Sequence, residues 1–425
     1  MVGSRATFLP KNQSVSLKRI NTMSRMSRAI LFVAALAISI PVQGIAEQPD
    51  ATAQKSADPA IELNRYFDEL DKEKKLSGAL LVARDGVPIA SRAAGLADKK
   101  AGTPNTLATK FNLGSMNKMF TGVAIAQLAQ RGKLNFQDTI SKYLPDYSNK
   151  EIAGKVTIHH LLTHTSGMGS YWNDKYAARR TSLTTVGAHL PLFIGEPLAF
   201  APGEKFQYSN AGYMVLGAII EKTSGENYFD YVQHNIYEPA GMSSTGFYEG
   251  DGKLADVAIG YTKEGTTDER ENTDLRDVKG GPAGGGYSTV GDLLKFHTAL
   301  RDHKLLNQEY TKIVTTGKVE AGGPIGKYAY GFGDKMFAGK HIVGHNGGAP
   351  GIAANFEMYP ELGYTAILLM NCDPPAMMPV IMKIRQLIPA SESGPAKKDT
   401  RYFGRRTPSS FLTWSGQPLD GVLFC

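Results

Sequence analysis

The order of apolar patterns predicts an α+β fold: an antiparallel sheet flanked by helices, with an all-α insertion. Two observations carry it. Strand-like runs bounded by glycine and turn residues gather at two ends of the chain's central body, at 79–90 and 329–369. Between them, residues from about 134 to 280 show little β-branched alternation and read as helix and loop. The two strand-rich ends build one sheet most economically if the middle is an excursion from it and helices cover the sheet.

The first 46 residues read as a signal peptide. Basic residues end at Arg28, an apolar run spans Ala29 to Ile40, and Gly44-Ile45-Ala46 gives a small-x-small cleavage pattern before Glu47. The run is short for a membrane span, so contact with a membrane is expected only through this segment, if it stays uncleaved. Export places the protein in the periplasm or outside the cell. The net charge of +7 comes mostly from here, because six of the 47 basic residues precede the first acidic one. Without them 41 basic residues face 40 acidic ones, and no basic surface remains to argue for nucleic acid.

A polar linker follows at 47–56, and the folded body is expected at 57–390. Ile61 to Leu76 has roughly helical spacing. Ala79–Ala83, the turn Arg84-Asp85-Gly86 and Val87–Ala90 read as a hairpin, since Asp-Gly is a strong turn signal. Phe111-Asn112-Leu113-Gly114 leads into a long amphipathic helix starting near Ser115. Its stripe is Met119, Val123, Ile125, Ala126 and Leu128, and its stop is Gly132. Further helices are expected at 157–163, 209–224, 226–236 and 289–301, the last capped by Ser288 or Thr289. Strands return at Ala329–Gly333, His341–His345, Ala353–Met358 and Tyr364–Leu369, and a helix covers about 376–388. The segment 391–425 has no clear period and reads as a poorly ordered tail. The two cysteines, Cys372 and Cys425, exclude a thiolate zinc or iron–sulfur site, and no structural bridge is expected.

Ser115-Met116-Asn117-Lys118 puts a hydroxyl and an amine three residues apart. Positions i and i+3 share a helix face, and a lysine kept neutral can draw the serine proton. A capping serine beside a surface lysine would read the same locally. Tyr-x-Asn occurs three times. Tyr147-Ser148-Asn149 and Tyr171-Trp172-Asn173 lie in polar loops, whereas Tyr208-Ser209-Asn210 sits at a loop-to-helix junction. His345-Asn346-Gly347-Gly348 ends an apolar strand and opens a glycine-rich turn, where substrate can lie close to the backbone. Lys263-Glu264-Gly265 and Lys279-Gly280-Gly281 lack such a strand. His160 and His164 are i and i+4, but no glutamate stands between them as in a zinc-protease helix, so neither a metal nor another cofactor is expected.

Together these motifs resemble the serine β-lactamase and penicillin-binding-protein family, in its class C-like branch with esterase and D-aminopeptidase relatives. The resemblance runs from about 60 to 390 and includes His160–Gly167, Phe200-Ala201-Pro202-Gly203 and Gly284–Thr289. It implies the β-lactamase/transpeptidase-like fold and a small-molecule or peptide substrate. By position, Ser115 matches the acylated nucleophile and Lys118 its base. Tyr208 matches the tyrosine that exchanges protons with nucleophile and leaving group, and Asn210 a side chain that holds the substrate carbonyl or Lys118. The N–H groups of Ser115 and Gly348 match the oxyanion hole, on the strand that carries His345 and Gly347. Penicillin-recognising members usually have lysine where His345 stands. The resemblance therefore implies an exported esterase or D-peptidase type of serine hydrolase ahead of a class C-like β-lactamase or DD-carboxypeptidase. A non-catalytic receptor for peptidoglycan fragments is the reading from a different class. The oligomeric state is open.

Overall fold

The computed structural model describes residues 58–249, 254–275 and 278–389. The expected signal peptide at 1–46, linker at 47–56 and tail at 391–425 lie outside them.

One sheet contains β1 (Gly78–Arg84), β2 (Val87–Ala94), β3 (Val319–Gly322), β4 (Gly326–Tyr328), β5 (Gly333–Phe337), β6 (Lys340–Ala349), β7 (Ile352–Tyr359) and β8 (Tyr364–Met370). Their order is β2-β1-β8-β7-β6-β5-β4-β3, antiparallel at every step. Strand β8 joins the two chain ends: Leu80 pairs with Leu368 on one side, and Phe356 with Ile367 on the other. Strands β7 and β8 are buried throughout, because both faces of the sheet are covered. That is why they read as mostly apolar runs, interrupted by Asn355 and Glu357 in β7 and Thr365 in β8.

The helices that bear on the site are α1 (Pro59–Lys72), α2 (Asn117–Gln130), α3 (Ile158–Leu162), α4 (Asn210–Ser224), α5 (Val290–Arg301) and α6 (Met377–Leu387). Helices α1 and α6 cover one face, packing Leu63, Phe67, Ile381 and Ile384 on Leu80, Val82 and Leu368. Each such side chain contributes on the order of 1.5–3 kcal/mol by leaving water. Helices α2 and α5 lie on the other face, with the helical middle of the chain beyond α2. Thr289 caps α5, accepting the Asp292 N–H at 3.1 Å.

Three expectations change. Helix α2 is not amphipathic: every residue from Asn117 to Ala129 is buried. It runs between the sheet and the helical middle, so it has no solvent face to keep polar. Its polar side chains are met by backbone carbonyls, Thr121 donating to Pro282 at 2.8 Å and Gln127 to Asn235 at 2.8 Å. It stops as expected at Gly132, whose φ is +67°. Ala329–Gly333 is a tight loop rather than a strand until its last residue. The Ala329 N–H donates to the Phe332 carbonyl at 2.7 Å and Gly331 takes φ +88°. A side chain at 331 would begin 2.3 Å from the Lys118 carbonyl oxygen, so the chain turns there to clear the first turn of α2. Cys372 is disulfide-bonded, where no bridge was expected. Cys425 lies outside the described residues. Among its described residues, the segment 134–280 is otherwise helix and loop, apart from a two-residue ribbon, Tyr261–Thr262 against Arg270–Glu271.

Candidate active site

Ser115 sits on a single 3-10 turn, Gly114–Met116, that runs directly into α2. The positive end of the helix dipole therefore lies beside its hydroxyl. Strand β6 packs against this turn more closely than any side chain allows. A Cβ on Gly347 would sit 2.0 Å from the Leu113 carbonyl oxygen and 3.1 Å from the Ser115 nitrogen. Gly347 and Gly348 thus bring the backbone of β6 against the backbone of the serine turn.

Lys118 lies in the first turn of α2 and is completely buried. Burial holds its amine well below the usual lysine range, favouring the neutral form. A neutral amine has two N–H donors and one lone pair. Two acceptors are supplied: Asn210 Oδ1 at 2.8 Å and the Ala283 carbonyl, which is closer still. Ser115 Oγ lies 3.4 Å from the same nitrogen. With both donors engaged by oxygens that can only accept, the lone pair is left for the serine O–H.

Tyr208 lies over this pair, with Lys118 Nζ 4.6 Å from its ring centre. Its hydroxyl is buried and approaches Ser115 without reaching hydrogen-bond geometry. Burial pushes the phenol above its ordinary pKa, and the neighbouring serine partly opposes the push. The other two Tyr-x-Asn segments are structural. Tyr147 and Tyr171 are buried in the core. Asn149 and Asn173 cap short helices, accepting from Ile152 at 3.1 Å and Tyr176 at 3.0 Å. At the third site Ser209 does the capping, accepting from Gly212 at 2.9 Å, so Asn210 remains available for Lys118.

His345 is buried and neutral. Burial pushes its pKa down to about 3. Its Nδ1 bonds the Asn346 carbonyl, which can only accept, so Nδ1 carries the proton. Nε2 then accepts from the Tyr328 hydroxyl at 2.9 Å. Sequence reasoning passed over Tyr328, the Ala283 carbonyl and the part played by His164. His164 stands at φ +58° just after α3, where its carbonyl accepts from Gln207 N–H at 2.9 Å and its Nδ1 from Ser209 N–H at 3.0 Å. Its ring lies 4.2 Å from that of Tyr208. The residue holds the whole Tyr208 loop. His159 bonds the Tyr330 hydroxyl at 2.8 Å, and His160 Nδ1 accepts from Thr157 N–H at 3.2 Å. The three histidines therefore serve three separate structural bonds.

Ser115, Lys118, Tyr208, Asn210, His345, Gly347 and Gly348 all converge. A cavity of about 360 Å³ opens beside them, with Ser115, Tyr208, Tyr328, His345 and Gly348 in its wall. Such a set can pass a proton away from Ser115 while a carbonyl carbon rests near its oxygen.

Comparison with known proteins gives the family. The family model described as Beta-lactamase matches residues 63–388. The chain is 32% identical over 324 residues to the penicillin-binding-protein-like PbpX of Bacillus subtilis strain 168, covering 75% of this chain and 77% of that one. It is 36% identical over 214 residues to esterase EstB of Burkholderia gladioli, covering 47% of this chain and 54% of the esterase. The crystal structure of a penicillin binding protein from Bacillus halodurans superposes with a TM-score of 0.69 at 32% identity, covering 76% of this chain and 99% of that one. The chain belongs to the beta-lactamase family, as one of its serine hydrolases.

Proposed function

We propose that the chain is an exported hydrolase of the esterase or D-peptidase type, cleaving an ester or amide through an acyl-enzyme on Ser115. One observation carries the assignment of roles: the buried Lys118 amine has both N–H donors turned to carbonyl oxygens and its remaining face toward Ser115 Oγ, 3.4 Å away. Ser115 Oγ attacks the substrate carbonyl carbon as its proton moves to Lys118. The scissile C–O or C–N bond then breaks, and the proton passes by way of the Tyr208 hydroxyl to the leaving atom. Water attacks the acyl-enzyme and gives one proton to the same relay. That proton returns to Ser115 Oγ as the acid departs. The N–H groups of Ser115 and Gly348 hold the oxyanion, where one donor is typically worth about 10²–10³ in rate.

Two points favour ester or peptide over β-lactam. His345 is neutral, so no cation stands where penicillin-recognising relatives place a lysine. Similarity to an esterase points the same way. Ser115→Ala should abolish turnover and labelling by a fluorophosphonate probe, and undiminished labelling would refute the assignment. Nitrocefin hydrolysis at kcat/KM of about 10⁴ M⁻¹s⁻¹ or more would put the β-lactamase reading first. Mass spectrometry of the mature N-terminus tests export, with cleavage after Ala46 the expected result.

A further inference from the structure

The cavity beside Ser115 continues along β6 to the sheet face covered by α6, where Glu357, Met377, Ile381 and Arg385 line it. Strand alternation places Lys335, Gly344 and Glu357 on that same face. Gly344 pairs with Glu357 and has no side chain, so Lys335 reaches across β6 toward the carboxylate.

The charges there do not balance. Among the described lining residues, Lys335 and Arg385 are cations and Glu357 is the one carboxylate. Arg385 takes that carboxylate for itself. Its Nε donates to the two oxygens at 3.0 and 3.2 Å, its Nη2 donates as well, and the Tyr359 hydroxyl adds a bond at 2.8 Å. Glu357 and Arg385 are 2% and 6% exposed, so this pair is fixed and dry. Lys335 is left 3.6 Å away, beyond hydrogen-bond length, with 23% of its side chain exposed. Neither Lys118 nor His345 adds a charge nearby, since both are held neutral. Lys335 therefore shares a carboxylate whose hydrogen bonds Arg385 and Tyr359 already take, and its partly exposed ammonium can meet a further anion.

We propose that this cavity selects a substrate carrying a carboxylate, bound by Lys335 at the end remote from Ser115. The inference rests on the serine-hydrolase reading and names the substrate class for that site. The apolar wall of Ile325, Met377 and Ile381 fits a short hydrocarbon arm between the reacting carbonyl and the carboxylate.

Two anionic esters, mono-4-nitrophenyl glutarate and 3-carboxyphenyl valerate, place the charge on the acyl or the leaving side. Each is compared with its neutral partner, 4-nitrophenyl or phenyl valerate, in wild type, Lys335→Met and Lys335→Arg. Taking the anionic-to-neutral ratio of kcat/KM cancels intrinsic reactivity. For at least one pair the ratio should fall about 10–100-fold in Lys335→Met and recover in Lys335→Arg, the range expected for a hydrogen bond to a charged group. Ratios within twofold of wild type for both pairs in Lys335→Met would overturn the proposal. The methionine variant should fold, because Arg385 still holds Glu357. Failure of the hydrolase reading looks different: no ester turns over and Ser115 gains no acyl mass. In that case calorimetry with N-benzylglutaramic acid and N-benzylpentanamide decides. Selective loss of the acid in Lys335→Met supports the carboxylate site, and equal binding of the acid by both proteins refutes it.

Discussion

Replacing Gly347 by alanine places a methyl carbon 2.0 Å from the Leu113 carbonyl oxygen, one residue before the turn that carries Ser115. Ordinary contact needs a further retreat of about 1.4 Å between β6 and that turn. Both parties are backbone, so no flexible side-chain end can absorb the clash. Overpacking of this kind costs about 1–3 kcal/mol, or a Tm drop of a few degrees for a domain of this size. The kinetic cost should be larger. The retreat separates the Gly348 N–H from Ser115, and about 1 Å of misplacement can cost on the order of 10² in rate. Gly348→Ala is the control: its Cβ would meet the Pro374 ring at 3.0 Å and no backbone atom closer than 4.0 Å, leaving the backbone N–H in place. We expect kcat/KM on a 4-nitrophenyl ester to fall about 100-fold for Gly347→Ala and less than tenfold for Gly348→Ala, with Tm measured by circular dichroism. A folded Gly347→Ala protein within threefold of wild type would refute the claim that this contact sets the nucleophile.

Asn210→Ala should lower kcat by about tenfold or more through the loss of one Lys118 acceptor, whereas Asn173→Ala should cost about 1 kcal/mol of stability as a lost cap and spare activity. Ester kinetics and urea unfolding separate the two. Arg385→Met leaves the buried Glu357 with Lys335 as its remaining cation, 3.6 Å away, and should destabilise by about 3–5 kcal/mol in urea unfolding. His345 and His297, with pKa values pushed to about 3 and about 4, stay neutral in the fold yet protonate in the unfolded chain below about pH 6.5. Stability is therefore undiminished by them above that pH and falls as pH drops toward 4, each contributing up to about 1.4 kcal/mol per pH unit. A Tm series over pH 4–8 should show this fall, and His345→Gln should show a shallower one.

Much of the site was legible because its pieces are local. Ser115 and Lys118 lie one turn apart, and caps such as Thr289 and stops such as Gly132 act within a few residues. Choosing Tyr208 among three Tyr-x-Asn segments needed context, and the structure supplies the physical discriminator: the neighbouring Ser209 relieves Asn210 of capping. The misread strand at Ala329–Gly333 is set by a distant backbone, that of α2, and no local pattern announces such a contact. The Lys335–Glu357–Arg385 group draws on two strands and a helix. Its one visible signal was Glu357, a carboxylate inside a mostly apolar strand run. The acceptor at Ala283 is a carbonyl, which every residue has, so side-chain reasoning had no means of marking it.

Among the described strands β8 is synthesised last, yet it pairs with β1, the first. The N-terminal hairpin must wait for nearly the whole body of the protein before its sheet can close. Pairing across so long a loop is intrinsically slow. Until then Leu80, Leu81 and Val82 present an unpaired apolar edge, the kind that recruits strands from other chains. Chains ending before Tyr364 should accordingly aggregate as well as lack activity, which makes intactness of the C-terminal strands a condition of solubility.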